Sequence, residues 1–321
     1  MKRLHLAVLF LFLVRIECPA QETGSAPETL KILTLGNSFA WNATEYLPRL
    51  AEAAGKRVVV FPANLSNCSL EEHASYLRAY KADPNDPKGR PYTNFNSPGR
   101  EKMSLPEALR SDAWDVVTLQ QASALSFKPE SYEPYASELI AAIHKDAPRA
   151  RIVVFETWAY REDFPGFAGS GFTQQAMFEG LASAYHDLAA RNKLPLIPVG
   201  SAFQKARHDP HWTFVFPDPA FDYKNPVEDS LPAQPGTINV GWSWERDGTK
   251  KVFRLDPKHC NTAGKYLAGA TFFETLFGED VRANTFAPSE LPPEDGARLR
   301  ELAHEAVTEE AKQGRLAEAT P

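Results

Sequence analysis

Strand-like and helix-like segments alternate along this chain, and that order predicts an α/β fold: a three-layer α/β/α sandwich around a mainly parallel central sheet of about five strands. Two observations carry the expectation. The strand candidates are short and almost uniformly apolar, as strands covered on both faces should be, and each is followed by residues with helical apolar spacing. The first strand is "LKILTL" at 30–35, and "TEYLPRLAEAAG" at 44–55 reads as its helix, with Tyr46, Leu47, Leu50 and Ala54 as apolar positions and a glycine stop. "RVVVFPA" at 57–63 is the second strand, and "SLEEHASYLRAY" at 69–80 the next helix. Then come "WDVVTLQ" at 114–120 with "YEPYASELIAAIHKDAP" at 132–148, and "RIVVFETWA" at 151–159 with "TQQAMFEGLASAYHDLAARNK" at 173–193. "LPLIPVG" at 194–200 supplies the fifth strand, and "NTAGKYLAGATFFETLFG" at 261–278 closes the domain with a helix.

Two segments interrupt the alternation. Residues 81–104 are rich in Pro, Asn, Gly and Lys, while 208–250 contain "HWTFVF", "FDY" and "GWSWERDGTKKVFR". The last of these predicts a hairpin turning at "RDGTK" and returning through "KVFR". Loops of this length are uncommon inside a compact domain, so both insertions are expected to shape a binding surface. The main domain is placed at 30–285. Residues 286–321 form a C-terminal extension in which "GARLRELAHEAVTEEAKQGRLA" predicts a solvated helix.

The first residues read as an address. Lys2 and Arg3 precede an apolar run from Leu4 to Val14, and "CPA" offers a cleavage point after Ala20. This layout predicts a secretory signal peptide at 1–20, too short to span a bilayer, and a flexible lead at 21–29. The expected location is secreted or periplasmic, with no membrane span and a monomeric state. Losing the leader removes three basic side chains and one acidic one, which takes the formal charge from -6 to -8. That balance argues against nucleic acid as a partner. Two cysteines, Cys68 and Cys260, survive processing, too few for a disulfide scaffold but enough for one bridge.

In "KILTLGNSFAWN" at 31–42, two roles fit Ser38. It can cap the following helix; or, if Asn42 or Thr44 does so, it can act as a nucleophile lifted from the sheet edge by a tight turn at Gly36. A serine nucleophile needs a base, and the base needs an acceptor for its second ring nitrogen. "RLDPKHCN" offers both, because Asp256 lies three residues before His259 with Pro257 between them. A surface histidine beside a helix cap is the competing explanation. His73, His144 and His186 fall within helices, and "HDPH" at 208–211 is a weak ligand signal, so neither a metal nor a cofactor is expected.

Six blocks then stand in order: "ILTLGNSF", "NCSLEEH", "WDVVTLQQAS", "ETWAY", "IPVGSAFQKAR" and "LDPKHCNTAGKYLAGATFFETLFG". With them the chain resembles the SGNH hydrolases, the GDSL-like esterase and lipase superfamily, and within it the DUF4886 branch. The resemblance covers residues 32–278 and implies an SGNH/flavodoxin-like fold acting on carboxylic esters. It implies Ser38 as nucleophile, His259 as base and Asp256 as the partner of that base. The backbone N–H groups of Ser38 and Asn67 are the implied oxyanion donors, with Asn67 in "NCS" where the branch has "GCS". The superfamily asparagine is replaced by "QQ", so the side-chain donor is assigned to Gln121 with Gln120 as the alternative. On these assignments Cys68, after Asn67, and Cys260, after His259, approach one region. A disulfide between them is expected, with two buried free cysteines as the alternative, and no adjacent motif favours Cys68 over Ser38 as nucleophile.

Trp158 and Tyr160 leave a strand end, and Trp212, Phe214, Phe216, Phe221, Tyr223, Trp242 and Trp244 crowd the second insertion. Such rings suit the apolar faces of sugars, and they equally suit a satellite core under a long loop. Trp158, Tyr160, Trp242 and Trp244 are the expected substrate contacts. Arg161, Lys205 and above all Arg207 are the cations expected to meet an acidic polysaccharide. Together these features predict a secreted carbohydrate esterase that removes acetyl or another small acyl group from a poly- or oligosaccharide through a Ser-His-Asp acyl-enzyme route. The rivals are a catalytically decayed carbohydrate-binding protein, and an acyltransferase or lipid esterase on the same fold.

Overall fold

A computed structural model describes residues 29–216 and 218–314. The expected signal peptide lies outside these residues, as does the lead except for Thr29, which already belongs to the first strand. In chain order the first elements are β1 (Thr29–Gly36), α1 (Ser38–Thr44), α2 (Leu47–Ala53), β2 (Arg57–Asn64) and α3 (Leu70–Ala82). A two-residue pair, β3 (Tyr92–Thr93) and β4 (Lys102–Met103), leads to α4 (Leu105–Arg110), β5 (Val116–Leu119), α5 (Tyr135–Asp146) and β6 (Arg151–Phe155). The chain continues through α6 (Gln174–Asn192), β7 (Leu196–Ile197), α7 (Val199–His208), β8 (Asn239–Asp247), β9 (Lys250–Cys260), α8 (Thr262–Phe277) and α9 (Pro293–Lys312).

The five predicted strands form one parallel sheet in the order β2-β1-β5-β6-β7. From β1 the chain first crosses to β2 and then returns past β1 to β5. The carboxyl ends of β1 and β5 are therefore the point where strand order reverses, which is where open α/β sheets leave a crevice. The right-handed rule for parallel crossovers puts connections of opposite direction on opposite faces. Accordingly α8 packs against α1, α2, α7 and α9, while α3, α4 and α5 pack together on the other side. Ile32, Leu33, Leu35, Val117, Leu119, Val154 and Phe155 are buried between the two layers, giving the α/β/α arrangement that the apolar strands predicted.

Two expectations need correction. The C-terminal helix is not a solvated appendage: Leu299, Leu302, Ala303 and Ala306 of α9 are buried in the main core. The first insertion is also partly core, since it sends Tyr92 inward to a position only 1% exposed. The second insertion does contain the predicted hairpin, β8 with β9, turning at Gly248 and Thr249.

Candidate active site

β1 ends at Gly36, and Asn37 caps α1 by accepting the Phe39 N–H (3.1 Å). The sequence left the cap to Ser38, Asn42 or Thr44. Instead the Asn42 side chain accepts the Cys260 N–H (2.9 Å) and the Thr44 hydroxyl donates to the Ala40 carbonyl (2.8 Å). With Asn37 as cap, Ser38 occupies the first position of the helix and its hydroxyl is left for another partner. That partner is His259: Ser38 Oγ and His259 Nε2 are 2.8 Å apart although 221 residues separate them.

His259 sits in a bulge of β9. Gly241 pairs with Asp256 and Asn239 with Cys260, so residues 257–259 arch out between two paired positions. A proline is tolerated in a strand at such a bulge, and the bulge re-aims the side chains that follow. Asp256 organises the arch from within. One carboxylate oxygen accepts the Lys258 and His259 N–H groups (both 3.0 Å), and the other accepts the His259 Nδ1–H (2.7 Å). Burial works against ionising this carboxyl, but the His259 side chain and these N–H groups outweigh it and hold its pKa down at about 2. Asp256 is thus an anion, which fixes the proton of His259 on Nδ1 and points the Nε2 lone pair at Ser38.

The outer side of the arch is held by the block "ETWAYR". Trp158 Nε1–H donates to the Lys258 carbonyl (2.8 Å), and the Arg161 N–H donates to the Pro257 carbonyl (2.8 Å). Gly241 is required beneath it: its φ is +72°, and a Cβ there would meet the Arg161 guanidinium at 2.1 Å. Trp158 was expected at the substrate surface, but it is fully buried. It lies between Phe39 (4.1 Å, 7° interplanar) and Phe203 (4.8 Å, 14°), and Phe39 in turn presents its ring to His259 (5.8 Å, 65°).

Asn67 follows β2 in a tight turn closed by the Cys68 N–H to the Leu65 carbonyl (3.2 Å), and its φ is +54°. That left-handed conformation suits glycine, and asparagine tolerates it better than most other residues. Asn67 is exposed. The Ser38 N–H lies in the first turn of α1, where helical geometry supplies no acceptor. The turn is braced from below, because Asn37 Nδ2 donates to the Cys68 carbonyl (3.2 Å) and Gln120 Nε2 donates to Asn37 Oδ1 (2.9 Å). Gly36 makes room for this brace: a Cβ there would lie 2.6 Å from the Gln120 amide carbon.

Gln121 does not fit the donor role expected of it. Its two amide hydrogens go to the Ser131 carbonyl (2.9 Å) and hydroxyl (3.1 Å), and its oxygen accepts the Leu70 (3.0 Å) and Ala122 (2.8 Å) N–H groups. No hydrogen-bonding capacity is left for a substrate. His73, read from the sequence only as a helix residue, is a further support of this edge. It is buried, joins the Gly36 carbonyl (3.1 Å) to the Tyr92 hydroxyl (2.8 Å), and burial lowers its pKa to about 4.

The expected disulfide is absent: Cys68 and Cys260 are buried free thiols. Cys68 Sγ turns to the Ser69 carbonyl (3.7 Å), while Cys260 packs toward Gly264 of α8. Burial pushes the Cys68 thiol up to about 12, so it holds no nucleophilic thiolate near neutral pH. Arg207 is likewise buried rather than offered to a ligand, with Nη2 donating to the Ala159 carbonyl (2.8 Å) and Asn239 Oδ1 (3.2 Å). Tyr160 is 3% exposed and its hydroxyl shares a hydrogen bond with Ser123 (2.8 Å).

Trp242 does face open space. With Phe164, Phe167, Phe216, Tyr223 and Leu255 it lines a groove of about 520 Å³, and Leu255 adjoins Asp256 in sequence. Trp244 lies outside that lining and donates its Nε1–H to the Ser230 carbonyl (2.7 Å). Another cavity of about 520 Å³, lined by Thr29, Lys56, Asp115 and Arg151, opens at the amino ends of the strands and so lies away from Ser38. Among the described residues, no helix is long and apolar enough to cross a membrane.

Comparison with known proteins places the chain in a family. A search of curated proteins finds no match. Among solved structures, a DUF4886 family protein from Bacteroides uniformis ATCC 8492 is 25% identical, with a TM-score of 0.66 over 88% of this chain and 95% of that one. A candidate SGNH hydrolase from Slackia heliotrinireducens is 22% identical, with a TM-score of 0.46 over 77% of this chain and 98% of that one. The model of the Domain of unknown function (DUF4886) matches residues 31–211, more than half of the chain. The protein therefore belongs to the DUF4886 family.

Proposed function

We propose that the protein is a serine esterase that removes acetyl or another small acyl group from a carbohydrate outside the cytoplasm. The observation that carries this proposal is the continuous relay from Ser38 Oγ to His259 Nε2 (2.8 Å) and from His259 Nδ1 to Asp256 (2.7 Å). Ser38 attacks the ester carbonyl and passes its proton to His259 Nε2. The carbonyl oxygen becomes an anion, received by the Ser38 and Asn67 N–H groups. Collapse of this adduct breaks the bond to the alcohol oxygen, which leaves with the proton from His259. Water then gives a proton to His259 and attacks the acyl-serine, releasing the carboxylic acid and restoring Ser38. Asp256 remains charged throughout and stabilises the imidazolium. The groove beside Leu255 suits the sugar side of the substrate, since flat aromatic walls complement apolar sugar faces.

Hydrolysis of 4-nitrophenyl acetate by the wild type and by Ser38→Ala tests the proposal. The substitution is expected to lower kcat by at least about 10⁴-fold. Equal rates, or no hydrolysis by either protein, would leave the decayed carbohydrate-binding protein as the better account. Acid release from acetylated plant, algal and bacterial glycans would then identify the sugar.

A further inference from the structure

Lys258 joins the relay to the groove. It precedes His259 in the bulge, and its ammonium lies over the Tyr160 ring (5.1 Å) and the Phe164 ring (5.8 Å), the latter a wall of the groove. The residue is half-buried. Among the described residues, no carboxylate oxygen stands within 4.0 Å of this ammonium. Ring faces stabilise a cation but leave its N–H donors without a strong acceptor. The three cations that the sequence suggested for an acidic substrate are occupied elsewhere. Arg161 is paired with Asp163, Lys205 with Glu309, and Arg207 with the Ala159 carbonyl.

We infer that Lys258 recognises a carboxylate carried by the ester substrate close to the scissile bond. The inference rests on the esterase proposal and adds the charge of the substrate to it. A carboxylate can belong to the sugar, as in an O-acetylated uronic acid, or to the acyl group, as in a half-ester of a dicarboxylic acid. Either would meet the half-buried ammonium with a charge-assisted hydrogen bond. The side chain is available for this because the other attachments of Lys258 are made by its backbone: its N–H to Asp256, its carbonyl to Trp158 and Asn239.

Two matched pairs test the inference by the ratio of kcat/KM for anionic over neutral ester. One pair is O-acetylated methyl galacturonoside against the corresponding O-acetylated methyl galactoside; the other is 4-nitrophenyl succinate against 4-nitrophenyl butyrate. The wild type should favour the anionic member of one pair by about tenfold, a preference that shrinks as salt is raised. Which pair responds tells whether the carboxylate sits on the sugar or on the acyl group. Lys258→Met should bring the ratio toward one, and Lys258→Arg should retain much of it. A ratio near one in both pairs for the wild type, or a preference that survives Lys258→Met, would overturn the role of Lys258. Ser38-dependent hydrolysis of 4-nitrophenyl acetate serves as the control, since its absence would overturn the esterase proposal, and this inference with it.

Discussion

Two aromatic clusters in this protein use the same side chains for opposite purposes. Phe39, Trp158 and Phe203 stack nearly parallel, and Trp158 is 0% exposed with its indole N–H on the Lys258 carbonyl. Tyr223, Trp242 and Phe253 also touch, with ring centroids 5.1 Å and 4.9 Å from Trp242, yet Trp242 keeps a face on the groove and neighbouring Phe216 is 74% exposed. The inner stack links the residue after Ser38 to the residue before His259 and so holds the relay at hydrogen-bonding distance. The outer cluster shapes open space. Trp158 is thus a frame beside the candidate active site, while Trp242 leaves one face bare to the groove.

The sharpest way to break this distinction is Trp158→Ala. Removing a fully buried tryptophan is expected to cost about 3–5 kcal/mol of stability, read by chemical denaturation, and to lower ester hydrolysis because the His259 arch loses its outer support. Trp242→Ala should cost much less, on the order of 1 kcal/mol for a half-buried ring. Its effect is expected in KM for acylated oligosaccharides. Similar destabilisation by both substitutions would erase the contrast.

A smaller effect concerns Glu156, two residues before Trp158. Its carboxylate is buried and accepts the Ser201 hydroxyl (3.1 Å). Burial pushes its pKa up from 4.5 to about 7, with His186 on α6 opposing and Glu310 on α9 reinforcing the shift. The native state therefore holds a proton that the unfolded chain releases above pH 4.5. The stability this gives is complete below pH 4.5 and is lost as pH rises to about 7. Glu156→Gln should flatten that decline in denaturation midpoints measured across the same window. Asp256 acts in the opposite direction and lower: its contribution is present above 3.8 and disappears as pH falls toward 2.

Much of the fold was legible because strands buried on both faces must be apolar, and all five expected strands pair in one sheet. Ser38, Asp256 and His259 were legible as candidates because turn residues after β1 and an Asp-Pro-Lys-His run before a helix are local signals, while the pairing of Ser38 with His259 across 221 residues was implied only by the family resemblance. The errors share a cause as well. Gln121, Arg207 and Trp158 were given roles from the chemistry of their side chains, whereas their actual partners are backbone carbonyls 10, 48 and 100 residues away in sequence. Asn37 was overlooked although it is the better-placed cap, immediately before the helix.

The amino-acid order alone determined the five sheet strands and the longer helices, though not α1, α4 or α7, because periodicity and turn chemistry are short-range signals. Only the tertiary structure decided which side chains are free to act. Whether an amide, a guanidinium or an indole meets substrate or backbone depends on acceptors that come from elsewhere in the chain, and burial decides which of those acceptors must be satisfied. Lys258 marks the same boundary from the other side: its sequence neighbours named the place, and the surrounding fold set its charge against two rings, with no carboxylate beside it among the described residues.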